Sequence, residues 1–129
     1  MLTKEAKRLS DAELEIMLVI WHSEQPVSAS YILEALKGKR KWALPTLMTV
    51  LTRLIKKEFL ICEKKGRNNF YRSIVDENTY KEKEGKSILE KLYGNSFKSF
   101  VTALYQSKAI SEKDLDELRE FLDKAHKEV

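Results

Sequence analysis

Pro45-Thr46-Leu47-Met48-Thr49-Val50-Leu51-Thr52-Arg53-Leu54-Ile55-Lys56-Lys57-Glu58 decides the fold. Its apolar residues Leu47, Val50, Leu51 and Leu54 recur at helical spacing, and Pro45 suits a first helical position, where a fixed φ and a missing N–H cost nothing. The same spacing gathers Thr46, Thr49, Arg53 and Lys56 on another face, which is polar and basic. The sequence therefore predicts a helix over about 45–58 with one stripe for a core and one for a partner.

Immediately downstream the period drops from 3.6 to 2. Phe59 to Lys64 and Asn69 to Ser73 read as strands, and Lys65-Gly66-Arg67-Asn68 reads as the turn between them. Upstream lie two further helices. Ser10 with Glu13 forms a capping-box signal ahead of Leu14, Met17, Leu18 and Trp21, predicting a helix from about Asp11 to His22. After Glu24-Gln25-Pro26, Ser28 can cap a second helix carrying Ala29, Ile32, Leu33 and Leu36 before Gly38. Three short helices followed by a hairpin is the order of a winged helix-turn-helix, with the Pro45 helix in the recognition position.

Beyond Val75 the pattern is helical to the end. Ile88, Leu89, Leu92 and Tyr93 precede Gly94. Ser96 can cap a helix carrying Phe97, Phe100, Val101 and Leu104, and Ser111 with Asp114 opens another carrying Leu115, Leu118, Leu122 and Ala125. About 50 residues make a poor core alone, so these stripes are expected to pack against a second copy. The expected fold class is mainly α with a small β-hairpin. Residues 1–75 form the winged-helix DNA-binding domain, and 76–129 form a three-helix homodimerisation module.

Charge supports the division. The 129 residues carry a net +4, with 14 Lys and Arg against 8 Asp and Glu over 1–75, a balance of +6, and 10 against 12 over 76–129, a balance of −2. A basic first part suits a polyanion, either nucleic acid or a membrane surface. A membrane-surface binder needs an amphipathic helix with a basic face, whereas many cations here lie in loops and a hairpin. With no long apolar run, the chain is expected to be cytoplasmic without membrane insertion. One cysteine, Cys62, and two distant histidines exclude an internal disulfide and a zinc cluster, so neither metal nor cofactor is expected. No P-loop, glycine-rich dinucleotide turn or nucleophile elbow is present, which argues against an enzyme.

The candidate DNA face is Thr46, Thr49, Arg53 and Lys56. Arg can pair bidentately with guanine, and Thr can meet phosphate or a thymine methyl. Lys39, Arg40 and Lys41 before it, and Lys64, Lys65 and Arg67 after it, are placed to reach phosphates. Trp42 is expected to pack with an edge exposed, and Cys62 to be a buried structural residue rather than a redox sensor. The rival function is a winged-helix protein-interaction module without sequence-specific DNA binding.

The chain resembles the BlaI/MecI/CopY-type penicillinase repressors. The resemblance rests on Leu9-Ser10-Asp11-Ala12-Glu13-Leu14-Glu15-Ile16-Met17 with Trp21, on Trp42, on Thr46 to Lys57, on Glu63-Lys64-Lys65-Gly66-Arg67 with Tyr71, and on Leu89 to Gly94, Ser99 to Val101 and Ser111 to Leu118. It implies a homodimeric repressor on double-stranded, inverted-repeat operator DNA. Thr46, Thr49 and Arg53 would lie in the major groove, Trp42 and Ala43 near phosphate, and Lys65 and Arg67 in the wing. Glu58 replaces the glycine that commonly ends the recognition helix. The antibiotic-responsive members are cleaved at an Asn-Phe bond in the fifth helix, where this chain has Ala103-Leu104, with a membrane metallopeptidase sensor as the implied partner. The cysteine cluster of the copper-responsive members is absent from Ala125 to Val129.

Overall fold

The computed structural model describes residues 8–127 and contains two compact units, one ending at Glu84 and one beginning at Gly85. In the first, helix α1 (Asp11–Trp21) starts on a complete capping box: Ser10 Oγ accepts the Glu13 N–H at 3.2 Å, and Glu13 Oε1 accepts the Ser10 N–H at 2.9 Å. Strand β1 (Val27–Ser28) leads into α2 (Ala29–Ala35), capped by Ser28. Helix α3 (Leu44–Lys56) and strands β2 (Leu60–Lys65) and β3 (Asn68–Ser73) follow. The expected hairpin is thus present, with Lys65 opposite Asn68 and a two-residue turn at Gly66-Arg67. Gly66 takes φ +66°, the conformation that the first central position of a type II′ turn requires.

The structure differs from the sequence expectation in two places. The hairpin gains a third strand: β1 pairs antiparallel with β3, Val27 opposite Tyr71, giving the order β1-β3-β2. The buried stripe of α1 is Glu13, Ile16, Met17 and Ile20, while Leu14, Leu18 and Trp21 are half-buried beside it. A stripe counted from apolar residues alone could not include Glu13, whose burial is made possible by cations from α3 and its end.

The stripe of α3 is as expected, with Leu47, Val50, Leu51 and Leu54 buried against α1 and α2. The helix ends in a Schellman motif: the Phe59 N–H donates to Leu54 O and the Glu58 N–H to Ile55 O, both at 2.9 Å. Phe59 and Leu54 are both fully buried, the apolar contact that accompanies this motif. Glu58 occupies its left-handed position with φ +69°. A Cβ there costs about 1 kcal/mol of local strain at the exit of the helix.

Cys62 is exposed, not buried as expected. The hairpin runs past the core after Leu60, so its outer part is wet on β2 although Tyr71, opposite Cys62, is buried.

Helix α4 (Glu77–Tyr93) contributes its beginning to the first unit. Tyr80 is buried there, its ring 5.9 Å from Trp21 and 5.7 Å from Phe59, and its hydroxyl accepts the Leu9 N–H at 3.0 Å. The Trp21 indole N–H donates to Val75 O at 2.8 Å and approaches Ser73 Oγ at 3.0 Å. These contacts carry the unit past Val75 to Glu84.

The second unit holds the rest of α4, α5 (Phe97–Gln106) and α6 (Glu112–Lys127). Ser96 caps α5, and Ser111 and Asp114 cap α6 reciprocally. Tyr93, Phe97 and Phe100 cluster, the Tyr93 and Phe100 rings tilted and 5.1 Å apart and the Phe97 ring edge-on to Phe100 at 6.5 Å. Among its described residues none is buried, and Leu92 is 72% exposed.

Candidate nucleic-acid interface

The outward face of α3 carries Thr46, Thr49, Arg53 and Lys56, all exposed, as the helical spacing placed them. The Thr49 hydroxyl donates to Pro45 O at 3.1 Å, and that of Thr52 to Met48 O at 2.9 Å. With its proton turned to the backbone, Thr49 presents a methyl group and an acceptor oxygen outward. Lys56 pairs with no described residue. Ala43, the N-cap, is exposed and gives no side-chain cap, while Pro45 sets the first turn.

Arg53 is 55% exposed at its side chain, and its Nε lies 3.5 Å from Glu13 Oε2. The other oxygen of that carboxylate accepts from Lys57 Nζ at 2.6 Å. Burial pushes the Glu13 carboxyl up, but the Lys57 ammonium and the Ser10 N–H and hydroxyl overcome it and hold the group below the usual carboxylate range. Glu13 is thus a buried anion beneath the polar face of α3. Sequence reading saw only its capping role, because nothing local links it to cations about forty residues away.

The basic loop divides. Lys39 and Lys41 are exposed, but Arg40 is half-buried, with Nε donating to Glu15 Oε1 at 2.6 Å and Nη2 reaching Oε2 at 3.4 Å. Its guanidinium also lies 5.3 Å from the Trp42 ring centre. Arg40 therefore fixes the loop instead of projecting from it. Trp42 is half-buried against the core, as expected.

At the wing, Lys64, Lys65 and Arg67 are exposed. Lys65 Nζ lies 5.5 Å from the Phe70 ring centre, and Arg72 Nε donates to Glu63 Oε2 at 2.9 Å across β2 and β3. The Arg72 guanidinium holds the Glu63 carboxyl below its ordinary range. These ties brace the hairpin behind a charged tip.

Of the residues expected at an interface between copies, Ile88, Leu89, Phe100, Val101, Leu104, Leu115 and Leu118 are half-buried, and Leu92, Phe97 and Leu122 are exposed. Ala103 and Leu104 lie within α5, both half-buried. Among the described residues no helix is long and apolar enough to cross a membrane, and no group of His, Cys, Asp or Glu is placed to hold a metal ion.

A family model described as the penicillinase repressor matches residues 9–124. The methicillin resistance regulatory protein MecI of Mammaliicoccus sciuri is 34% identical over 116 residues, covering 90% of this chain and 94% of its own. A penicillinase repressor of Bacillus licheniformis is 34% identical over 121 residues, covering 93% of each chain. Among solved structures, the solution structure of the DNA-binding domain of the repressor BlaI is 37% identical with a TM-score of 0.52, covering 60% of this chain and 94% of that one.

Proposed function

The chain belongs to the penicillinase repressor family, whose members are transcriptional repressors and not enzymes, and on that premise we propose that it represses transcription as a homodimer on an inverted-repeat operator. The observation that carries this reading is the exposed face of α3, polar and basic, flanked in sequence by Lys39 and Lys41 and by a wing tip bearing Lys65 and Arg67. In the reading, α3 enters the major groove, where Thr46, Thr49 and Arg53 meet base edges. Lys56, Trp42 and Ala43 lie beside the backbone, and Lys65 and Arg67 hold the neighbouring phosphates. The division of labour follows the two units: the first, which contains the basic residues 1–75 and ends at Glu84, binds DNA, and the second, from Gly85, joins the copies. Two half-sites then lie about one helical turn apart, roughly 34 Å or a multiple, and the bound dimer blocks polymerase. It acts in the cytoplasm. Release through a membrane metallopeptidase sensor would require α5 to open around Ala103-Leu104.

The test is a mobility-shift titration with DNA from upstream of the protein's own gene. Binding well above that to competitor DNA at moderate salt is expected, and equal binding to both overturns the reading. Lys65→Ala is expected to weaken binding to all sequences alike and to lower the slope of log affinity against log salt by about one. A sequence-selective loss would instead make Lys65 a base reader.

A further inference from the structure

We infer that Glu13, buried on α1, is the positioning residue that aims Arg53 of α3 at the base edges of the operator. The inference rests on the DNA-binding reading of α3.

Arginine carries many rotamers, and an unanchored one loses that freedom when it meets a base; a side chain already held in place loses less. The anchor here is rigid. Glu13 Oε1 is occupied by the Ser10 N–H at 2.9 Å and Lys57 Nζ at 2.6 Å, which fixes the carboxylate and leaves Oε2 facing Arg53 Nε at 3.5 Å. Lys57 also donates to Arg8 O at 3.3 Å, so it ties backbone and carboxylate together within the fold. The two cations on this anion thus differ. Lys57 is 26% exposed and serves the fold, whereas Arg53 stands outward on the same face as Thr46 and Thr49. Because the closest approach to Glu13 is through Nε, the terminal Nη groups of Arg53 remain to meet a base, the fork geometry that guanine O6 and N7 accept. The carboxyl is held below its ordinary range, so the anchor is charged at neutral pH.

A merely structural ion pair predicts that removing Lys57 and neutralising Glu13 act alike. The positioning role predicts that neutralising Glu13 flattens base reading more than removing Lys57, which loosens the anion without discharging it. The experiment selects preferred duplexes from a randomised DNA pool with the wild-type protein, then measures affinity for every single base-pair variant of the selected half-site. Arg53→Ala is expected to flatten discrimination at its contacted base pair, a preference of about 5- to 150-fold for a bidentate pair. Glu13→Gln should flatten the same position to within about threefold without weakening random-sequence affinity, since it removes an anion from beside the interface. The double variant should be no flatter than Arg53→Ala alone. Lys57→Met, which leaves the anion held by the Ser10 N–H, should flatten that position less than Glu13→Gln does. If Glu13→Gln does not fold at the assay temperature, Glu13→Asp, whose carboxylate is withdrawn by one methylene, is read in its place with the same expectation. A folded Glu13 variant with the wild-type profile, an Arg53→Ala protein that still discriminates, or flattening by Lys57→Met as complete as that by Glu13→Gln overturns the inference. Failure of the wild type to enrich any sequence overturns the repressor reading instead.

Discussion

Glu13→Ala is expected to cost about 3 kcal/mol of folding stability, the largest loss from any polar substitution in the first unit. Truncation leaves Lys57, whose side chain is 26% exposed, without its anion, removes one half of the α1 capping box and opens a void where a 3%-exposed side chain sat. Breaking a buried pair from one side costs about 3–5 kcal/mol, and the partial exposure of Lys57 sets the value at the lower end. By contrast, the pair between the exposed Arg8 and the half-buried Glu84, at 2.7 Å, keeps its cation in water and belongs to the class worth less than about 1 kcal/mol. Urea unfolding of Glu13→Ala and Arg8→Ala separates the two, and equal midpoint shifts would refute the ranking. The acid limb follows from the same site. Because folding lowers the Glu13 pKa, its contribution is fully present above the unfolded value of about 4.3 and is lost as pH falls through the lower folded value. Stability should therefore decline below about pH 4, less steeply in Glu13→Gln.

The double substitution Leu92→Glu with Leu122→Glu is expected to turn the proposed dimer into a monomer and to reduce full-operator affinity by about 100-fold or more. Both side chains are largely exposed in the single chain, Leu92 at 72% and Leu122 at 49%. Charging them therefore costs the isolated fold little. At a contact between copies, four buried carboxylates would face an apolar surface at several kcal/mol. Losing the link between two half-site binders removes an avidity gain of about 10²–10⁴-fold while leaving single half-site affinity unchanged. Sedimentation and half-site titration together decide: a variant that remains dimeric rejects these two residues as interface.

Legibility followed the range of the interactions concerned. The α3 stripe, the three serine caps at Ser10, Ser28 and Ser96 and the turn at Gly66 are local, since each depends on residues a few positions apart, and all were readable. Strand β1 was not, because two residues become a strand only by pairing with Phe70 and Tyr71, over forty positions away. The rotated stripe of α1 has the same origin: Glu13 is buried only because Lys57 and Arg53 arrive from α3 and its end. Arg40 had every sequence mark of a phosphate contact, yet Glu15 on α1 and the Trp42 ring claim it. Composition finds where cations are abundant; tertiary pairing decides which remain available.

Among its described residues the second unit buries no side chain, so in the proposed dimer its helices draw their apolar cover from another molecule. Their order then obeys mass action: dilution lowers assembly and helix stability together. A cell that halves the amount of such a repressor loses more than half of its working dimer, and the separated chains present frayed helices to proteases. Occupancy of the operator thereby becomes a threshold function of copy number, a sharpness supplied by an unfinished core.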